Sequence, residues 1–186
     1  MSGSFAAFVR AVNVGAHRKL STLQLTSFVE ERGGQSVQTI LQTGNVVFHH
    51  PSTSTHRLET AFDTAAETGL GWAAQFMIRT AGQMHETLRH NPFPEMARSD
   101  PSHLVVVFLK SAPSTTVAGT LEGVRPGRER FALSGSELYV TFPDGIGRSK
   151  VSLDWMEKRL ATVGTMRNWN TVTRVTQAAS AREATP

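Results

Sequence analysis

Two kinds of hydrophobic pattern recur along the chain: short unbroken apolar runs, and longer stretches with apolar residues three or four positions apart. The run Phe5 to Val12, closed by the turn formers Asn13 and Gly15, predicts a largely buried strand. Ser21 is placed to cap a helix over 22–32, with Leu23, Leu25 and Phe28 as apolar anchors and Gly33-Gly34 as its stop. Runs at 37–41 and 46–48, separated by Thr43-Gly44-Asn45, predict a hairpin. Leu58, Ala61, Phe62 and Ala65 recur at helical spacing, and Gly69 and Gly71 end that helix. A fourth strand follows over 72–78.

A connecting helix over 81–90 runs into Asn91-Pro92-Phe93-Pro94, which marks a stop and a linker. Leu104 to Leu109 is apolar throughout, so both of its faces should be buried. Pro113 opens a short helix, and 130–133 with 138–142 predict a second hairpin around Ser134-Gly135. Ser149 is positioned to cap a helix reaching Leu160, with Val151, Trp155 and Leu160 facing inward. A short strand at 165–167 precedes a last helix that starts at Asn170 or Thr171. The order βαββαβ thus occurs twice. Gln42-Thr43-Gly44-Asn45 aligns with Leu133-Ser134-Gly135-Ser136, the two glycines lying 91 positions apart, close to half the chain. This is the split βαβ pattern of the ferredoxin-like unit. The expected fold is α+β, a tandem of two ferredoxin-like halves sharing a core, plus a C-terminal helix. The expected boundaries are 1–80 for the first half, 81–101 for the connecting helix and Pro-rich linker, 102–178 for the second half and 179–186 for a frayed tail.

Composition agrees with a globular chain. Of 186 residues, 39% are hydrophobic and 18% charged, and cysteine is absent, which excludes disulfides and every thiolate-based site. The net charge of +4 comes entirely from the second part of the sequence: residues 1–100 hold eight basic and eight acidic residues, whereas 101–186 hold eleven and seven. That asymmetry favours an anionic partner, although +4 is weak for a nucleic-acid binder. The sequence shows neither an export signal nor an apolar run long enough to span a membrane, so a cytoplasmic location is expected.

The familiar nucleophile-elbow, zincin, phosphate-loop and EF-hand patterns are missing, and the seven histidines show no metal-ligand spacing. No metal or cofactor is expected. Three polar segments stand out. Arg10-Ala11-Val12-Asn13-Val14-Gly15-Ala16-His17-Arg18-Lys19 is a strand end and glycine-bearing loop before a helix; it reads first as a plain connection with Asn13 satisfying local backbone, and second as an anion-accepting turn. Asp144-Gly145-Ile146-Gly147-Arg148-Ser149-Lys150 places two glycines, two cations and a hydroxyl before a helix, which suits an anion and equally suits a β-turn with a serine cap. Thr165-Met166-Arg167-Asn168-Trp169-Asn170-Thr171 sets amides around an indole, suited to a planar base or to a helix cap over a core tryptophan.

These segments resemble an uncharacterised bacterial family, domain of unknown function 1697. Arg10-Ala11-Val12-Asn13-Val14-Gly15 is similar to its R-G-I-N-V-G opening, and Leu41-Gln42-Thr43-Gly44-Asn45-Val46-Val47-Phe48 to its I-Q-S-G-N-V-V-F. Gly145-Ile146-Gly147-Arg148-Ser149-Lys150 and Thr165 to Val172 are similar to its last two words. Ala11 and Ala16 stand where that family usually has glycine, which weakens the first loop as a phosphate cradle. The resemblance implies two ferredoxin-like halves and no established activity. From the residues, the leading reading is a site for a phosphorylated small molecule or nucleotide, gathering Arg10, Asn13, Lys19, Gln42, Asn45, Arg148, Ser149, Lys150, Arg167 and Asn170. The alternatives are a scaffold whose motifs are structural, and a nucleic-acid binder. Neither a catalytic residue nor an oligomeric state is readable.

Overall fold

A computed structural model describes residues 3–10 and 19–183, apart from the side chains of 118, 182 and 183. It is an α+β structure with two four-stranded antiparallel sheets and a C-terminal helix. The chain divides into two units, 1–86 with 174–186, and 87–173.

In the first unit, β1 (Gly3–Val9), α1 (Thr22–Glu30), β2 (Gln35–Thr39), β3 (Asn45–His50), α2 (Thr55–Leu70) and β4 (Phe76–Thr80) follow one another, and the sheet order is β2-β3-β1-β4. Ser21 caps α1 through a reciprocal pair with Gln24: Ser21 Oγ accepts from Gln24 N, and Gln24 Oε1 accepts from Ser21 N. Ser54 caps α2, which ends on Gly71 in the left-handed region at φ +80°. One sheet face lays Phe5, Val46, Phe48, Phe76 and Ile78 against Leu25, Phe28, Leu58 and Phe62 from the two helices. The Phe28, Phe62 and Phe76 rings pack edge-on or stacked at 5.3–5.6 Å between centroids. β1 is buried on both faces, which is why its pattern never alternates.

α3 (Ala81–Arg89) follows β4. The two prolines expected to form a linker instead flank Phe93, and Pro94 opens a short helix, α4 (Pro94–Ser99). Proline suits the first helical position, because the N–H it lacks would have no partner there. The second unit continues with β5 (Leu104–Leu109), α5 (Thr115–Val124), β6 (Arg130–Ser134), β7 (Glu137–Thr141), α6 (Leu153–Leu160) and β8 (Gly164–Asn168), in sheet order β6-β7-β5-β8. Its core sets Val105, Val107, Leu109, Leu138 and Val140 against Leu121, Met156 and Leu160. α7 (Trp169–Glu183) closes the chain.

Four expectations need correction. Ser149 does not cap α6: the cap is Ser152, whose Oγ accepts from Trp155 N at 3.1 Å. Trp155 is half-buried at the rim of the core, stacked on Phe131, whereas Met156 is the fully buried residue. The hairpin glycines are not equivalent, because β1 receives Gly44 O where β5 receives Ser136 O, and the first connection spans five residues against two in the second. Finally, residue 179 does not begin a frayed end: α7 continues to Glu183, and Ser4 Oγ donates to Ala179 O at 2.8 Å.

Candidate functional site in the second unit

The connection from β7 to α6, residues 142–152, is held by a sequence of short bonds. Phe142 N donates to His103 O at 2.8 Å, Gly145 N to Phe142 O at 2.9 Å and Arg148 N to Gly145 O at 3.2 Å. Gly145 sits at φ +90°, a conformation that side chains strain to adopt, and Ile146–Arg148 forms one 3₁₀ turn. Together with Ser102 and His103 this loop lines an open cleft of about 710 Å³ bounded by Pro143, Asp144, Gly145, Ile146, Gly147 and Arg148.

His103 is the residue that sequence reasoning missed. Its Nδ1 lies 2.5 Å from Asp100 Oδ2, while Ser102 Oγ donates to Asp100 Oδ1 at 2.7 Å. Those contacts hold the Asp100 carboxyl below its usual range, the Ser102 hydroxyl first and the His103 ring second. His103 Nε2 faces Gly145, 3.6 Å from where a side chain there would begin. Arg128 pairs with Asp144 across the loop and holds that carboxyl low, with a smaller contribution from Arg148. Arg148 itself is exposed and makes no ion pair of its own among the described residues.

The sequence-derived candidates fall into distinct roles. Asn45 is fully buried, and its Nδ2 donates to Ile40 O at 2.9 Å and to Thr43 Oγ1 at 2.8 Å, so its amide secures the β2–β3 connection. Arg10 is half-buried just after β1, its N donating to Gln75 O at 2.9 Å ahead of β4; Gln42 is exposed on the β2–β3 connection. Lys19 is exposed ahead of α1, and Asn13 lies outside the described residues. In the second unit Arg148 and Lys150 are exposed in the cleft loop, whereas the half-buried Ser149 donates to Glu129 Oε1 and accepts from Val151 N at 2.9 Å. Arg167 is half-buried with its guanidinium withdrawn from water; burial lowers it to about 10, and it donates to Thr165 Oγ1 and Met166 O at 2.7 and 2.8 Å. Asn170 is exposed in the first turn of α7. β5, β7 and β8 bring the 101–103 segment, the cleft loop and the β8–α7 junction to one end of the same sheet, where Trp169 N donates to Pro101 O at 3.2 Å.

Among the described residues no helix is long and apolar enough to cross a membrane, and no three His, Asp or Glu side chains are grouped to hold a metal ion.

The family model described as "Protein of unknown function (DUF1697)" matches residues 3–139. That span includes Asp100 and His103 and ends before the cleft loop. The chain is similar in structure to the conserved bacterial protein SP0830 from Streptococcus pneumoniae, at a TM-score of 0.76 and 18% identity over 96% of this chain and 99% of the other. At that identity the likeness concerns the fold. No curated protein matches the sequence.

Proposed function

The chain belongs to the DUF1697 family of proteins of unknown function, and we propose that it binds a phosphorylated small molecule or nucleotide in the cleft between His103 and the 143–148 loop. One observation carries this reading. Arg148 stands exposed in a glycine-bearing cleft that an oriented imidazole also lines, while the carboxylate of the same loop, Asp144, is already paired with Arg128. A guanidinium donates paired, charge-assisted bonds that suit phosphate oxygens. Gly145 and Gly147 let backbone and ligand approach closely: a Cβ at Gly147 would meet nothing within 4 Å.

We read the two units as ferredoxin-like copies of one another. In support, both have the order βαββαβ, both have their third strand beside the first, and a carboxylate from the second helix receives the last strand's opening amide in each: Asp63 Oδ1 from Phe76 N at 2.8 Å, Glu157 Oε1 from Gly164 N at 2.7 Å. The scaffold reading draws support from the internal bonds of Asn45, Ser149 and Arg167, which make those motif residues part of the architecture.

Isothermal titration with a panel of nucleotides and sugar phosphates, chosen by thermal shift, tests the binding reading. Arg148→Ala should weaken binding at least about tenfold, the loss of roughly one charge-assisted bond, with the melting temperature unchanged because an exposed loop charge contributes little to stability. Equal affinity for Arg148→Ala and the parent protein would remove the cleft from consideration.

A further inference from the structure

We propose that His103 is a phosphoryl acceptor, its Nε2 attacking phosphorus in a compound held by the cleft to give a phosphohistidine; the inference rests on the cleft being a phosphate site. An ionised carboxylate only accepts hydrogen bonds, so the 2.5 Å contact to Asp100 Oδ2 places the ring proton on Nδ1. Ser102 Oγ occupies the other oxygen of that carboxylate at 2.7 Å and so favours its ionised form. Nε2 then carries the lone pair.

That nitrogen is placed for use. It makes no hydrogen bond among the described residues, and the His103 side chain is 36% exposed. Its open side is the glycine at position 145, where any side chain would begin 3.6 Å away and would adopt φ +90° under strain. The ring's backbone is fixed on both sides, His103 N donating to Asp100 O at 3.1 Å and His103 O accepting from Phe142 N at 2.8 Å. A different arrangement is seen at His50, whose Nε2 meets Arg32 O at 3.1 Å and whose Nδ1 accepts from Ser52 N at 2.9 Å, so both nitrogens are engaged.

The chemistry balances without a further proton carrier for a leaving group that departs unprotonated, such as the nucleoside diphosphate released from a nucleoside triphosphate. The Nε2 lone pair forms the N–P bond, and the bond from phosphorus to the leaving atom breaks with its electron pair departing on that atom. The Nδ1 proton stays where it is. The ring becomes positive, and the Asp100 carboxylate at Nδ1 compensates that charge. Arg148 neutralises charge on the non-bridging oxygens. Water, as the second acceptor, then cleaves the N–P bond and restores the ring.

The test uses the full chain with two probes, phosphoramidate as donor and inorganic phosphate as ligand. In phosphoramidate the leaving group is ammonia, already protonated, so the acceptor's nucleophilicity is read directly. Labelling is followed by intact mass and 31P NMR, and sites are mapped by fragmentation mass spectrometry. His103 should label about tenfold or more faster than the other histidines of the same chain, and inorganic phosphate should compete. Asp100→Asn, a positioning change, should slow His103 labelling and abolish the downfield Nδ1–H proton signal expected of the parent protein. Arg148→Ala should weaken phosphate binding and slow labelling in parallel. The comparison among histidines in the parent protein stands even where a variant fails to fold. Phosphate binding with His103 labelled no faster than its neighbours overturns the acceptor proposal and leaves the binding reading intact; absence of phosphate binding and of selective labelling together overturns both.

Discussion

Asn45 separates an architectural amide from a ligand-binding one, and its removal has a calculable cost. The residue is fully buried, and its Nδ2 spans the β2–β3 connection with bonds of 2.9 Å to Ile40 O and 2.8 Å to Thr43 Oγ1. Its own carbonyl accepts from Ile40 N at 2.9 Å, so the side chain and backbone of one residue hold both polar groups of another. Asn45→Ala removes these two hydrogen bonds, of about 1 kcal/mol each, and leaves a part-buried carbonyl at Ile40 without this donor, for a total of about 2–4 kcal/mol. The same loop keeps Leu41 at φ +59°, a conformation costing about 1–2 kcal/mol for a side-chain-bearing residue, which is sustained only while the surrounding bonds impose it. For a chain of this length the loss corresponds to a fall in melting temperature of roughly 4–16 °C. Amide exchange at Ile40 should accelerate, since its partner strand is no longer clamped. A loss below about 0.5 kcal/mol with unchanged exchange at Ile40 would refute the reasoning. Asn45 would then stand as a contact for something other than its own loop.

Two further outcomes follow from burial and charge. Met156→Ala should cost about 2–5 kcal/mol as a cavity in the second core, and Trp155→Ala less, about 1.5–3 kcal/mol, because Trp155 is half-buried with Phe131 stacked at 5.9 Å and Arg159 3.9 Å above its ring; urea melts with the order reversed would show Trp155 to be the core residue. Asp100 and Asp144 are both held low by their partners, so their contribution is present above the unfolded carboxylate value near 3.9 and is lost as pH falls through the depressed folded values; acid titration should show the second unit losing stability below about pH 4, with a shallower dependence in Asp100→Asn and Asp144→Asn.

Strand positions were legible where burial was two-sided. Leu104 to Leu109 offers no alternation to misread, and the structure makes it a strand over those same residues. Boundaries failed where capping chemistry offered two serines: Ser149 and Ser152 both precede the helix, and only the fold shows Ser149 turned to Glu129 while Ser152 meets Trp155 N. The site was less legible for a physical reason. Histidines at metal spacing and glycines before a helix are local patterns, whereas the setting of His103 depends on a carboxylate three residues earlier and on a loop about forty residues later. The local signal, Asp100-Pro101-Ser102-His103 just ahead of the most apolar strand, was readable as a turn that fixes a ring; what that ring faces was not.

The cleft proposed as the binding site lies where the two units diverge. Their sheets share strand order, and strand register sets Phe5 opposite Phe48 and Thr80 in the first unit as it sets Val105 opposite Val140 and Asn168 in the second. On that register Gly3 occupies the position of His103. The connection from β3 to α2 is four residues, 51–54, whereas that from β7 to α6 is eleven, 142–152. A four-residue connection suffices to join strand to helix and to cap the helix with Ser54. The longer one adds the glycine turn, Asp144 and Arg148, and closes on a histidine absent from the corresponding place in the first unit. Extra loop on an unchanged scaffold costs little in closure entropy, but ordering it around a carboxylate–imidazole pair costs more, and the compensation visible in the structure is a set of bonds that hold the loop against His103. Residues that ordering alone does not require, Arg148 and the open edge of the ring, are those that a ligand would meet.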